Sequence, residues 1–136
     1  MNDHCYGSRL VYTLTHPQAQ LLCNAYSYGL PGTGRGDDWF KARTGVSHDV
    51  AMDIRRSLRR QLREGAGGGS VALALPCDQW NVVFSAIGRL LAADGYPDWE
   101  LRVLIGGDRE DVMMLLQSMK ERHADTASER NGDVAS

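Results

Sequence analysis

Residues 65–70 read Gly-Ala-Gly-Gly-Gly-Ser, a stretch in which neither a helix nor a strand is sustained. Treated as a flexible tether it spans roughly 13 Å, and the chain on either side of it carries the same pattern. On the N-terminal side a β-prone run, Leu10 to Leu14, leads into Thr15-His16-Pro17, an entry signal for a helix. Ala19, Leu22, Cys23, Tyr26 and Leu30 then fall on one helical face. On the C-terminal side Val71 to Leu75 is the strand, followed by a helical stripe of Trp80, Val83, Phe84, Ile87 and Leu91. An offset of 61 positions carries the first stripe onto the second. It also aligns Leu14 with Leu75, Gln18 with Gln79, Ala25 with Ala86, Gly45 with Gly106, Met52 with Met113 and Ser57 with Ser118.

The spacing therefore reads as an internal duplication, with two unrelated amphipathic helices of coincident spacing as the competing account. Each half continues to an Asp-Trp pair, Asp38-Trp39 and Asp98-Trp99, expected to supply an N-cap and a large apolar anchor. Gly45 and Gly106-Gly107 stop that short helix, and Ser47 and Asp108 cap the next one. The last helix of each half should bury Ala51, Ile54 and Leu58, or Val112, Leu115 and Met119. The expected fold is α+β and mostly helical: two β-α-α-α pseudo-repeats, 10–64 and 71–122, joined by linker 65–70. A two-stranded ribbon would lie at the centre of the helical shell. Residues 1–9 read as an arm and 123–136, without periodicity, as a disordered tail. A free ribbon edge offers a route to a homodimer.

A chain of 136 residues is one domain's worth of polypeptide, long enough for a core. Its 43% hydrophobic and 24% charged residues are globular values, which excludes wholesale disorder. No apolar run reaches membrane-spanning length, and the first residues lack the basic and apolar regions of a secretory signal. Three cysteines match neither a disulfide framework nor a zinc site, so the expected setting is the reducing cytoplasm. The charge is divided: residues 1–68 hold nine Lys or Arg against six Asp or Glu, and residues 69–136 hold six against eleven.

The strongest local feature is Asp53 to Glu64, with arginines at Arg55, Arg56, Arg59, Arg60 and Arg63 opposite an Ile54-Leu58-Leu62 stripe. With the segment before it, from Trp39 through the Gly-Val-Ser turn, this resembles a helix-turn-helix. The resemblance implies that Ser47 or His48, together with Arg55, Arg56 and Arg59, would meet phosphates or base edges of DNA. It covers about 20 residues, carries Lys41 where many such motifs place a small residue, and has an acidic counterpart in the second half. The other reading is a solvated arginine face, or one that meets acidic protein.

Gly32 to Asp38 (GTGRGDD) follows a helix and lacks a Lys-Ser/Thr pair, so it reads as a helix connection and not a phosphate loop. Cys77 at a helix start is the most plausible reactive thiol, because a helix N-terminus favours thiolate. His16 occupies the equivalent place in the first half, and only parallel strands would bring the two together as a dyad. Cys23 lies on a core stripe, and His4, Cys5 and His48 have no partners at metal-ligand spacing. The aromatics Trp39, Trp80, Trp99, Tyr26, Tyr28 and Tyr96 read as core before they read as a pocket lining. No catalytic motif, cofactor or metal is called for. The sequence thus favours a non-enzymatic interaction or regulatory module (an adaptor, inhibitor or immunity-type factor) with a protein partner and no membrane. DNA binding through helix 47–64 is the alternative.

Overall fold

Thr15 is where a strand hands over to a helix. Its side chain accepts from the Gln18 amide while the Gln18 side chain accepts from the Thr15 amide, and Pro17 sits in the first turn. The computed structural model of the chain describes residues 9–32, 34–92 and 96–121; the bulk of the expected arm and the tail lie outside them. The elements are β1 (Arg9–Thr15), α1 (His16–Gly29), α2 (Asp37–Thr44), α3 (His48–Glu64), β2 (Ser70–Pro76), α4 (Cys77–Ala92), α5 (Asp98–Ile105) and α6, a helix over 109–121. The protein is mostly helical with a two-stranded antiparallel sheet. No described helix is long and apolar enough to cross a membrane.

Alternation along both strands puts Tyr12, Leu14, Val71, Leu73 and Leu75 inward, with Leu10 half-buried beside them. In register, Leu10 faces Leu75, Tyr12 faces Leu73 and Leu14 faces Val71. The opposite face, with Val11, Thr13 and Ala72, is exposed. The ribbon is therefore a lid on the helices, not the enclosed centre that the sequence leads one to expect. A period-two pattern can only bury one face.

Beneath the ribbon, the Tyr12 ring meets Trp80 edge-on at 4.8 Å, and the Trp80 indole N–H donates to the Leu10 carbonyl at 2.9 Å. The Tyr26 hydroxyl, also buried, donates to the Ala51 carbonyl at 2.8 Å and ties α1 to α3. Helices α1 and α4 cross so closely at Gly29 that a Cβ there would collide with the Ala86 carbonyl. Ala51, Ile54, Leu58 and Leu62 of α3, and Val112, Leu115, Leu116 and Met119 of α6, complete the core.

The element bounds recur at the offset read from the sequence. β2 and α5 begin and end 61 positions after β1 and α2, and α4 and α6 begin 61 positions after α1 and α3. Gly45 and Gly106 both end their helices in the left-handed conformation, at φ 85° and 88°. Tyr12 and Leu73, partners at the middle of the ribbon, are themselves 61 apart.

Three local expectations are corrected. Residues 65–69 form an ordered turn, not a tether: the Gly65 amide donates to Gln61, the Gly68 amide donates to Gly65, and Ser70 already belongs to β2. The N-caps of α2 and α5 are Gly36 and Pro97, and Asp37, Asp38 and Asp98 stand inside the first turns, where they face the positive helix end. The tryptophans beside them are not anchors. Phe40 and Thr44, or Leu101 and Ile105, are the inward pairs of these eight-residue helices. Trp39 instead lies under the guanidiniums of Arg35 and Arg43, at 5.3 and 5.1 Å, and Trp99 is exposed.

Outside the ribbon, the side-chain amide of Gln61 on α3 takes both main-chain groups of Ala74. It donates to the carbonyl at 2.9 Å and accepts from the N–H at 2.7 Å. One stretch of the β2 edge is thus closed by a side chain acting as a single residue of a third strand.

Candidate functional site

The arginines of α3 do not share one environment. Arg55 and Arg59, one turn apart, lean toward α1, and the Arg55 Nε and an Arg59 terminal nitrogen both donate to the Ser27 hydroxyl at 3.2 Å. Ser27 in turn donates to the Cys23 carbonyl at 3.0 Å. Arg59 Nε is buried with no acceptor. Arg56 pairs with Asp53 and Arg60 with Glu64 at 3.8 Å, on the exposed side; Arg63 is exposed as well. Such surface pairs contribute about 0–1 kcal/mol each. Ser47 is occupied as the cap of α3, accepting from the Val50 amide at 3.3 Å. The His48 amide donates to Asp37 at 3.0 Å, and its ring packs edge-on against Phe40 at 5.2 Å.

Arg55, Arg59 and His48 line a cavity of about 400 Å³ with Ser27, Tyr28, Leu30, Pro31, Phe40 and Met52. Among the described residues no carboxylate lines it. Asp37 and Asp49 line an adjoining depression that shares Phe40 and His48 with it. Of the residues singled out from the sequence, the structure brings together Arg55, Arg59 and His48 and leaves Arg56, Arg60, Arg63 and Ser47 outside. Ser27 carried no signal in the sequence beyond its place on α1; Tyr28, read there as core before pocket lining, is exposed and lines the cavity.

A second groove, of about 790 Å³, runs between α4 and α6. Six of its lining residues lie 61 positions after residues of the first cavity: Gly88, Leu91, Ala92, Met113, Leu116 and Lys120 stand where Ser27, Leu30, Pro31, Met52, Arg55 and Arg59 stand. The first cavity carries two arginines, whereas the second is lined mainly by apolar groups, with Lys120, Gln117 and Glu121 among them. On the same half, large apolar side chains face outward: Trp99 is 66% exposed, Val103 77%, Met113 54% and Met114 64%. Glu110, Asp111 and Glu121 are exposed nearby in sequence, and none of the three has a salt-bridge partner among the described residues. Asp108 is different: the Asp111 amide and then the Arg102 side chain hold its carboxyl below the usual range.

The two cysteines within the described residues are both buried. Cys23 is a free thiol that burial pushes up to about 11, against a smaller opposing pull from Arg59. Cys77 is disulfide-bonded, which corrects the expectation of a reactive thiol there: neither exposure nor a free sulfur is present. Because the strands run antiparallel, Cys77 follows the residue paired with Arg9 while His16 follows the residue paired with Ser70. The two therefore stand at opposite ends of the ribbon and form no dyad. Tyr26 and Trp80 are core; Tyr28 and Trp99 are not.

Compared with known proteins, the chain matches no family model, no curated protein and no solved structure.

Proposed function

We propose that the chain is a non-enzymatic protein-interaction module, built by internal duplication, that receives a basic amphipathic helix of a partner in the apolar groove between α4 and α6. The observation that carries this reading is an open, mainly apolar groove lined in part by exposed Met113, on a chain that also exposes Met114, Trp99 and Val103. Aromatic and methionine side chains are enriched in interfaces, and an exposed group of them costs solubility unless something covers it. A groove between two helices suits a helix laid into it, and adaptable methionines suit its apolar face. Exposed Glu110, Asp111 and Glu121 favour a partner with lysines or arginines flanking that face. The recurrence of element bounds at one offset, with Tyr12 facing Leu73, supports the duplication.

The DNA reading has the connection it needs, α2 followed by a three-residue turn and α3. It is the weaker one because Arg55 and Arg59 turn toward Ser27, and Asp49 and Asp53 stand exposed on the first turns of α3. A photo-crosslinking amino acid placed at position 103 or 113 in cells tests the proposal, with position 60 as control. The expected result is one protein adduct shared by 103 and 113, absent at 60 and lost in Met114→Glu. Equal labelling at 60, or nuclease-sensitive adducts there alone, would reject it in favour of a nucleic-acid face.

A further inference from the structure

We infer that the cavity between α1 and α3 is a binding site for a small organic phosphate, held by Arg55 and Arg59 with its apolar body against Tyr28 and Met52. This does not rest on the partner groove.

Two guanidiniums converge there on a single neutral hydroxyl, Ser27, each at 3.2 Å. A serine oxygen accepting two charged donors is a weak terminus for them, and Arg59 Nε beside it has no acceptor among the described residues. Like charges brought within reach of one atom repel, and among the described residues no carboxylate bridges to either one. By contrast their neighbours Arg56 and Arg60 each have an acid on the same helix. The molecule also contains its own control. At the corresponding positions of the other half, 61 residues on, the groove is lined by Leu116, Lys120 and Gly88. Helix packing of this shape therefore does not require two arginines and a serine.

The chemistry of the donors selects the ligand. Two planar forks, a hydroxyl and the His48 ring offer more donors than one carboxylate can use, whereas a phosphate monoester presents three oxygens and up to two charges. A volume of about 400 Å³ suits a small molecule. The remaining lining, Tyr28, Leu30, Pro31 and Met52, is apolar or aromatic, so the phosphate should carry an apolar or planar group.

Titration of the full chain with phenyl phosphate, followed by calorimetry and by amide chemical shifts, tests the assignment; benzoate and inorganic phosphate serve as comparators. One saturable site is expected, with shifts centred on residues 27, 28 and 52, and with both comparators binding at least several-fold more weakly. Arg55→Gln and Arg59→Gln should each weaken phenyl phosphate roughly tenfold or more, the scale of a lost charge-assisted contact. Arg56→Gln and Arg60→Gln should leave it unchanged. If the first two variants fold poorly, Ser27→Asp supplies an internal anion: it should abolish phenyl phosphate binding while raising the melting temperature. Absence of saturable binding up to about 10 mM, the weak end of specific recognition, would overturn the proposal. So would affinity indifferent to Arg55 and Arg59, or benzoate binding as tightly.

Discussion

Cys23 stands one turn before Ser27 on α1, buried against the core, and its thiol is held protonated by that burial up to about 11. In the unfolded chain it ionises near its ordinary value of 9.0. The folded value is the raised one, so the stability attached to the neutral thiol is complete below pH 9 and is lost as pH climbs toward 11. At 1.36 kcal/mol per pH unit, the whole loss is about 2–3 kcal/mol. Tyr12, pushed by burial to about 12 from 10.0, adds its own loss only above pH 10. Urea midpoints measured from pH 8 to 10 should therefore fall in the native protein, and Cys23→Ala should flatten most of that slope. The same stretch shows what the sequence carried about the cationic cavity. Five arginines on one helix are visible at once as charge; which two turn inward is decided by Ser27, 28 residues before Arg55, on another helix. A serine on the flank of an amphipathic stripe has no periodic signature.

At the level of elements, helix faces were readable because each long helix repeats its apolar positions over several turns: Ala51, Ile54 and Leu58 are inward as their spacing requires. The eight-residue helices α2 and α5 give only two inward positions each, too few to outvote a tryptophan, and so Trp39 and Trp99 misled. Strand direction was not legible at all, since seven alternating residues read the same either way. Two element contacts lead to measurable outcomes. Gly29→Ala should destabilise the fold by about 1–3 kcal/mol, the scale of overpacking, because the added methyl meets the Ala86 backbone and not a movable side chain. Chemical denaturation checks this, with Gly88→Ala as the comparison; nothing stands within 4 Å of a Cβ there, and inside α4 the alanine should stabilise by about 0.5–1 kcal/mol. Gln61→Leu should leave the Ala74 N–H without its side-chain acceptor, while Arg9 still donates to the Ala74 carbonyl, at a cost of about 1–2 kcal/mol. Hydrogen exchange at the Ala74 amide should then quicken about tenfold or more, and the opened edge should promote association between copies at high concentration. Unchanged exchange in that variant would show that the ribbon edge needs no cover.

For the molecule as a whole, one scaffold presents two grooves of different character: Arg55 and Arg59 line the first, and the second is mainly apolar with Lys120 and Glu121 in its lining. The half-and-half charge was plain in the sequence, but its meaning depended on which side chains face out, and that is a property of the packed molecule. The antiparallel ribbon has a further consequence, one of timing. Among the described residues β1 finds its only sheet partner in β2, and even their nearest pair, Thr15 with Ser70, is separated by the whole of α1, α2 and α3. A ribosome adding about 5–20 residues each second needs about 3–11 s to make that intervening stretch. Throughout that interval Tyr12 and Leu14 have no strand to lie against, while the helices between them and Val71 can already form. The nascent first half is thus a set of helices with an uncovered top, and the last turn of the glycine segment, by delivering β2, closes it.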